Sequence, residues 1–167
     1  MHEKKINLSL CMIVKNEEQY LRECLESVKE IVDEIIIVDT GSTDSTLKIA
    51  EEFGAQIYHF KWINDFSAAR NFSLSKCSGA WVLYLDADER LNPQSVNVVL
   101  NQIKSSQKKA IRCYVKNLDD YNGSTHSMKY PRLFFYDKEL VFTGRVHEQI
   151  GNSLIELNYE ILDSDIE

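Results

Sequence analysis

No stretch of this 167-residue chain is long and apolar enough to span a bilayer, and Met1–Leu10 is too polar and charged for a secretory signal. A cytoplasmic location is the expectation. Paired cysteine motifs are also missing. Cys11, Cys24, Cys77 and Cys113 lie far apart with no C-x-x-C between them, each inside an apolar pattern, which predicts reduced core residues. Positive charge is scarce: 19 Lys and Arg face 26 Asp and Glu, for a formal net charge of −7. That balance excludes a general nucleic-acid binder, which needs a basic field to meet phosphates. One small anionic ligand stays open if a divalent cation stands between it and the protein's carboxylates. The turn after the second strand is not G-x-G-x-x-G and gives no support for a dinucleotide site.

Apolar residues make up 44% and charged residues 27%, a balance that suits one globular domain with a sizeable core. Leu8–Val14 reads as a buried strand. Asn16 is placed to cap the following helix, with Gln19 three residues on as in a capping box, and Leu21, Cys24, Leu25 and Val28 form its buried stripe. Glu34–Val38, a β-branched run without alternation, predicts a strand buried on both faces. A second helix starts near Thr43, buries Thr46, Ile49, Ala50 and Phe53, and stops at Gly54. Gln56–Phe60 is a short third strand. Asp65 or Ser67 caps a third helix that runs through Cys77 and closes at Gly79. Trp81–Leu85 is a fourth strand, and Asn92-Pro93 opens a helix with Val96, Val99, Leu100 and Ile103 inward. This β-α order repeated four times predicts an α/β fold with a mostly parallel sheet and helices on both faces. Ala110–Val115 and Lys129–Tyr136 then read as strands around a polar loop containing Asn122-Gly123. Val141–Ile150 and Leu154–Leu162 read as further extended pieces of a mixed or antiparallel part.

Ligands of open parallel sheets bind beyond the carboxyl ends of the strands. Three polar clusters fall there: Lys15-Asn16-Glu17, Asp39 to Asp44, and Asp86-Ala87-Asp88-Glu89. Asp86 and Asp88, one residue apart after a buried strand, face the same side if the backbone is extended. Such like charges repel unless neutralised, which suits Mg²⁺ or Mn²⁺ bridging to phosphate oxygens. The plainer reading is a solvated acidic turn before the next helix. Asp39, Gly41, Ser42 and Asp44 offer a carboxylate for a base or ribose and backbone amides for an anion, or simply a turn and a helix cap. Arg70 and Arg132 are each a phosphate or ribose contact or a surface ion pair. His147 and Glu148 are neighbours that point to opposite faces if their segment is a regular strand. Trp62 and Trp81 read as packing residues before sugar platforms.

The ordered segments SLCMIVKNEE, EIIIVDTGSTDST, DFSAARNFSL, WVLYLDADE, RLFFY and GRVHEQI closely resemble bacterial family 2 glycosyltransferases of the GT-A fold. The resemblance is nearest to the group of lipopolysaccharide-core and peptide-modifying enzymes and covers about residues 6–150. It implies a Rossmann-like αβα sandwich with a nucleotide-binding half over residues 1–105 and an acceptor and catalytic half over 106–167. By the same resemblance, Val14, Lys15, Asn16, Glu17, Asp39 and Arg70 surround the nucleotide, usually uridine. Asp86 approaches ribose or metal, Ala87 lies between the acidic pair in the donor site, Asp88 binds Mg²⁺ or Mn²⁺, and Glu148 occupies the segment of the catalytic base. Two departures stand out. Many relatives have two aspartates where this chain has Asp39-Thr40, and similar proteins continue past the equivalent of Glu167 into a strand and a histidine segment that completes the metal site. The expectation is a C-terminally truncated single domain.

The activity so implied is transfer of a sugar from a nucleotide sugar, a UDP-sugar foremost, to an acceptor hydroxyl with inversion. Glu148 acts as base, and Arg70 or Arg132 assists electrostatically. The acceptor classes are a glycan, a lipid-linked molecule or a peptide. Peripheral membrane association and a homo-oligomer are both compatible with the sequence. Two other readings stand beside it: a catalytically incomplete nucleotide-sugar-binding module, and a sugar-1-phosphate nucleotidyltransferase. The second normally has a glycine-rich basic loop after the first strand, where this chain has the acidic Lys15-Asn16-Glu17-Glu18. Phosphatases of the haloacid-dehalogenase type place their D-x-D on the first strand, and this one follows the fourth.

Overall fold

A computed structural model of the chain describes residues 7–118 and 125–167. The loop with Asn122-Gly123 lies outside the described residues. The strands are β1 (Leu8–Val14), β2 (Glu34–Asp39), β3 (Gln56–His59), β4 (Trp81–Tyr84), β5 (Lys109–Leu118), β6 (Thr125–Phe135) and β7 (Glu160–Asp163). Between them run the helices α1 (Leu21–Val28), α2 (Thr46–Glu52), α3 (Phe66–Leu74), α4 (Val96–Gln102) and α5 (Gly151–Glu156). A turn of 3₁₀ helix, Pro93–Ser95, leads into α4.

One sheet takes the order β3-β2-β1-β4-β6-β5-β7. The first four strands are parallel, β6 is antiparallel to both β4 and β5, and β7 runs parallel to β5. The expected α/β class, mostly parallel with a mixed second half, is what forms. Strand alternation sorts the core into two layers. Leu10, Met12, Ile37, Leu83 and Leu133 meet α1, α2 and α4 on one face. Cys11, Ile36, Val82 and Phe134 meet Leu74 of α3 and Leu154 of α5 on the other. All four cysteines are free and buried. Among the described residues no helix is long and apolar enough to cross a membrane.

The amino ends of β1, β2 and β4 are tied by a buried carboxylate. Glu34 accepts from Ser9 Oγ, from Ser78 N and Oγ (2.9 Å), and from Gly79 N at 3.3 Å. Gly79 is required by close approach: a Cβ there would stand 2.5 Å from Ser9 Oγ and 2.9 Å from Ser9 N. It enters β4 and does not close a helix, because α3 stops at Leu74 and not at Cys77.

Other local expectations are corrected. Asn16 caps no helix. It sits at φ +56, and α1 begins at Leu21 behind Tyr20 with no side-chain cap. Its amide oxygen is spent on Thr43 N at 2.8 Å, so the capping box with Gln19 does not form. The second helix starts at Thr46, three residues later than Thr43, since Asp44 folds back to accept from Thr46 N at 3.0 Å. The Val141–Ile150 segment is a loop with a single bridge, Thr143 to Gln149, because Gly144 (φ +103) and His147 (φ +58) break extension. Leu154–Leu162 is half helix. Ile150 and Leu154, four apart, share one buried helical face, and only Glu160–Asp163 is strand.

Candidate active site

The chain moves outward from β1 to β2 and β3, then crosses back to place β4 on the other side of β1. A crevice opens at such a reversal, beyond the carboxyl ends of the two diverging strands. A cavity of about 540 Å³ lies there. Its wall takes Val14, Lys15 and Glu17 from the end of β1, Thr40 after β2, Arg70 from α3, Asp86, Ala87 and Asp88 after β4, and Glu148 from the 143–149 loop. The clusters after β1 and β4 meet on this rim, and the Asp39–Asp44 cluster reaches it through Thr40.

The acidic stretch is a turn and not extended backbone, with Glu89 N donating to Asp86 O at 3.0 Å. Asp86 and Asp88 still reach the same cavity. Their environments differ. Arg70 Nη2 is bonded to Asp86 Oδ1, and Arg132 Nη2 stands 3.5 Å from Oδ2. Burial alone would raise the Asp86 carboxyl, but the two guanidinium groups outweigh it and hold the pKa below the ordinary carboxylate value. Asp88 is exposed, and among the described residues its carboxylate pairs with no side chain.

Arg70 is only 3% exposed and bridges two carboxylates, donating Nε to Glu148 Oε1 at 3.0 Å as well as bonding Asp86. Arg132 joins Asp86 to Glu89, and both guanidiniums lie over the Tyr84 ring, 5.4 and 4.4 Å from its centroid. Glu148, Arg70, Asp86, Arg132 and Glu89 thus form a chain of alternating charge. Among the described residues, Arg70 Nη1 and Arg132 Nε are buried without an acceptor. Burial raises the Glu89 carboxyl, opposed by Arg132. Glu17 is raised first by burial and then by Asp88, Asp44 and Asp86 nearby.

Several expected residues stand behind the wall. Asp39 is buried, and its carboxylate accepts from Gly41 N (3.2 Å) and Ser42 N (2.9 Å) with His59 Nδ1 at 3.4 Å. Burial would raise its pKa, but those hydrogen bonds lower it. Asn16, Ser42 and Asp44 form a brace. Asn16 N donates to Ser42 Oγ at 3.0 Å and Glu18 N to Asp44 Oδ2 at 3.2 Å, locking the turn after β1 to the turn after β2. Gly41 serves the same turn at φ +116. Arg132 lines a second cavity of about 820 Å³ on the other side of the Asp86–Asp88 turn.

Sequence reasoning missed Ile13, Thr40, Phe66 and Val146 in the wall, and ranked packing before a sugar platform for Trp62. Trp62 is half-buried on the cavity with its ring edge-on to Phe66 at 4.8 Å. The four-residue step from Phe66 to Arg70 was the available signal, since it puts both on one helix face. His147 and Glu148 both reach the cavity, because the left-handed backbone at His147 breaks the alternation expected of a strand.

A family model described as Glycosyl transferase family 2 matches residues 9–156. A TPR repeat-containing protein of Synechococcus elongatus is 39% identical over 153 residues, which are 92% of this chain and 38% of that protein. The SPbeta prophage-derived glycosyltransferase SunS of Bacillus subtilis is 33% identical over 144 residues, 84% of this chain and 34% of SunS. The chain therefore spans between a third and two-fifths of these relatives' length. Among solved structures, S. aureus TarS 1-349 in complex with UDP-GlcNAc aligns with a TM-score of 0.74 at 19% identity, over 96% of this chain and 57% of that one. Glucosyl-3-phosphoglycerate synthase from Mycobacterium tuberculosis, in complex with Mn²⁺ and UDP-glucose, aligns at 0.53 and 24% identity over 65% of this chain and 43% of that one. The alternating core, the crevice beside β1 and a family match across most of the chain agree: this chain belongs to glycosyl transferase family 2 and has the GT-A fold.

Proposed function

We propose that the chain is the donor-binding and catalytic core of a metal-dependent, inverting glycosyltransferase that moves a sugar from a UDP-sugar to an acceptor hydroxyl. The observation that carries this reading is the convergence of Asp88, the Asp86–Arg70 pair and Glu148 on one cavity at the β1/β4 crevice. The uridine donors present in the TarS and glucosyl-3-phosphoglycerate synthase complexes support it. Residues 1–105 would serve the donor and residues 106–167 the acceptor, whether glycan, lipid-linked molecule or peptide. A cytoplasmic location is part of the same reading.

The cavity fits a divalent cation by its charge. Glu17, Asp86, Asp88 and Glu148 oppose only Lys15 and Arg70, so a diphosphate would meet net repulsion without one. Among the described residues no three His, Cys, Asp or Glu side chains form a metal cage. Mg²⁺ or Mn²⁺, hard cations that take carboxylate oxygens, would suit this acidic wall. Asp88, which pairs with no side chain among the described residues, would hold it, while Asp86 is engaged by arginines and keeps them placed. The chemistry such a cation supplies when bound is neutralisation of the charge that develops on the departing diphosphate.

Val14, Lys15 and Thr40 would line the nucleotide's path. Glu148 would take the proton of the acceptor hydroxyl as its oxygen attacks the anomeric carbon from the face opposite the leaving diphosphate. Arg70 Nε orients that carboxylate, and its second bond to Asp86 ties it to the donor side. Thermal stabilisation and nucleotide release across a panel of nucleotide sugars, with and without Mn²⁺, test the reading. Asp88→Ala should abolish the stabilisation given by UDP and Mn²⁺ together. Glu148→Gln should cut transfer by about 10²–10⁴-fold while sparing donor binding. No stabilisation of the unaltered chain, or an Asp88→Ala variant that behaves like it, sinks the donor site; unchanged transfer in Glu148→Gln removes the base.

A further inference from the structure

The loop that carries Glu148 has little internal structure. Thr143 and Gln149 exchange two backbone hydrogen bonds of 2.9 Å, and the residues between them include two with left-handed backbone. A loop of this kind does not hold a carboxylate in place by itself. What surrounds it is α3. Asn71 Nδ2 donates to Phe142 O at 2.9 Å, and Phe142 N donates to Asn71 Oδ1 at 2.7 Å, so one side chain imitates the paired bonds of a β-ladder. A turn earlier, Ser67 Oγ donates to Gly144 O, and Phe66 N donates to Arg145 O at 3.1 Å. Arg70 completes the set at Glu148 itself. On the far side, Phe142 is 2% exposed and packs edge-on against Tyr84 at 5.1 Å.

From this geometry we infer that Asn71 is a positioning residue for the reaction: through the backbone of Phe142 it registers the catalytic loop on α3 and so sets where the Glu148 carboxylate stands. Asn71 is half-buried and takes no part in the cavity wall, so it acts on the loop and not on a ligand. Its amide is suited to the task because it offers one donor and one acceptor in the plane that a peptide group presents. The inference rests on the reading of Glu148 as the base.

The test compares Asn71→Ala, Asn71→Asp, Ser67→Ala and Glu148→Gln with the unaltered chain. Displacement of a catalytic group by about an ångström costs on the order of 10²-fold in rate. Asn71→Ala should therefore lower kcat by about that factor, with donor KM and the UDP–Mn²⁺ thermal shift unchanged within about twofold. Amide exchange at Thr143 and Gln149 should quicken about tenfold as the loop loses its anchor. Asn71→Asp keeps the acceptor for Phe142 N but sets a carboxylate oxygen against Phe142 O, so it should lower kcat at least as far as Asn71→Ala, whereas Ser67→Ala should lie between Asn71→Ala and the unaltered chain. If Asn71→Ala does not fold, these two variants carry the comparison. Unchanged kcat in the position 71 and 67 variants while Glu148→Gln is inactive, or unchanged exchange at Thr143 and Gln149, overturns the inference alone. Full transfer by Glu148→Gln overturns the base assignment beneath it, and the exchange result identifies which of the two has failed.

Discussion

Asp86 and Asp88 show how far two identical side chains, one residue apart, can diverge. Asp86 is met by Arg70 and Arg132 and is held ionised; Asp88 faces open cavity. Glu17 completes the acidic wall, and its raised pKa, due first to burial and then to Asp88, sets a sign that can be measured. A carboxyl whose pKa is raised on folding favours the fold when protonated, and that contribution disappears as pH rises through the raised value. Glu17→Gln should therefore raise Tm at pH 7 by about 1–2 °C, with the difference vanishing below about pH 4, where the carboxyl is protonated folded or unfolded. Differential scanning at the two pH values checks it; equal Tm at pH 7 would show that the wall carries no strain of charge. Asp86 has the opposite sign. Its lowered pKa gives stability above the ordinary carboxylate range that is lost as pH falls through the lowered value.

α3 is the element on which the site depends, and among the described α-helices it is the one whose N-cap residue bonds back to the first turn with its own side chain. Asp65 Oδ1 accepts from Ala68 N at 3.0 Å, whereas the N-cap residues of α1, α2, α4 and α5 make no side-chain bond of this kind. Asp65→Ala should cost about 1 kcal/mol, lowering Tm by about 2–4 °C, as followed by circular dichroism. A shift below half a degree would mean that packing alone sets the start of α3. This cap was one of the two that the sequence offered, beside Ser67, because Asp65 stands directly before an apolar helical stripe. Asn16 looked equally suitable and was not a cap. Its position is decided by the neighbouring strand end, where Ser42 Oγ accepts from its backbone N and Thr43 N donates to its side-chain Oδ1. The 141–150 segment failed for a related reason. Apolar residues at Val141, Phe142, Val146 and Ile150 fit a strand, but Val146 is 64% exposed and the left-handed residues carry the chain around a loop.

Across the molecule, stability should follow the two-layer core and not the loops. Leu83 is 1% exposed at the centre of the sheet, opposite Leu10 of β1 on one side and Leu133 of β6 on the other. Leu83→Ala should cost about 2–5 kcal/mol in urea unfolding, whereas Ile155→Ala, at a side chain 66% exposed on α5, should stay within about 0.5 kcal/mol. Similar losses at the two positions would refute the layer assignment.

The alternation of buried runs and capped stripes is local information, and it was enough to place the β-α order, the parallel half of the sheet and the strand ends at which the polar clusters lie. Those properties depend on which neighbours along the chain are apolar, so they can be read without knowing what packs against what. Partner choice is different. Arg70 reaches Asp86 across 16 residues and Glu148 across 78, and nothing in either segment names the other. Only the crossing from β3 back to β4, with α3 laid over β1 and β2 and against the 142–148 loop, brings the three charges within bonding distance. Burial of Arg70 makes its pairing obligatory, because an unpaired guanidinium in that position is too costly to keep.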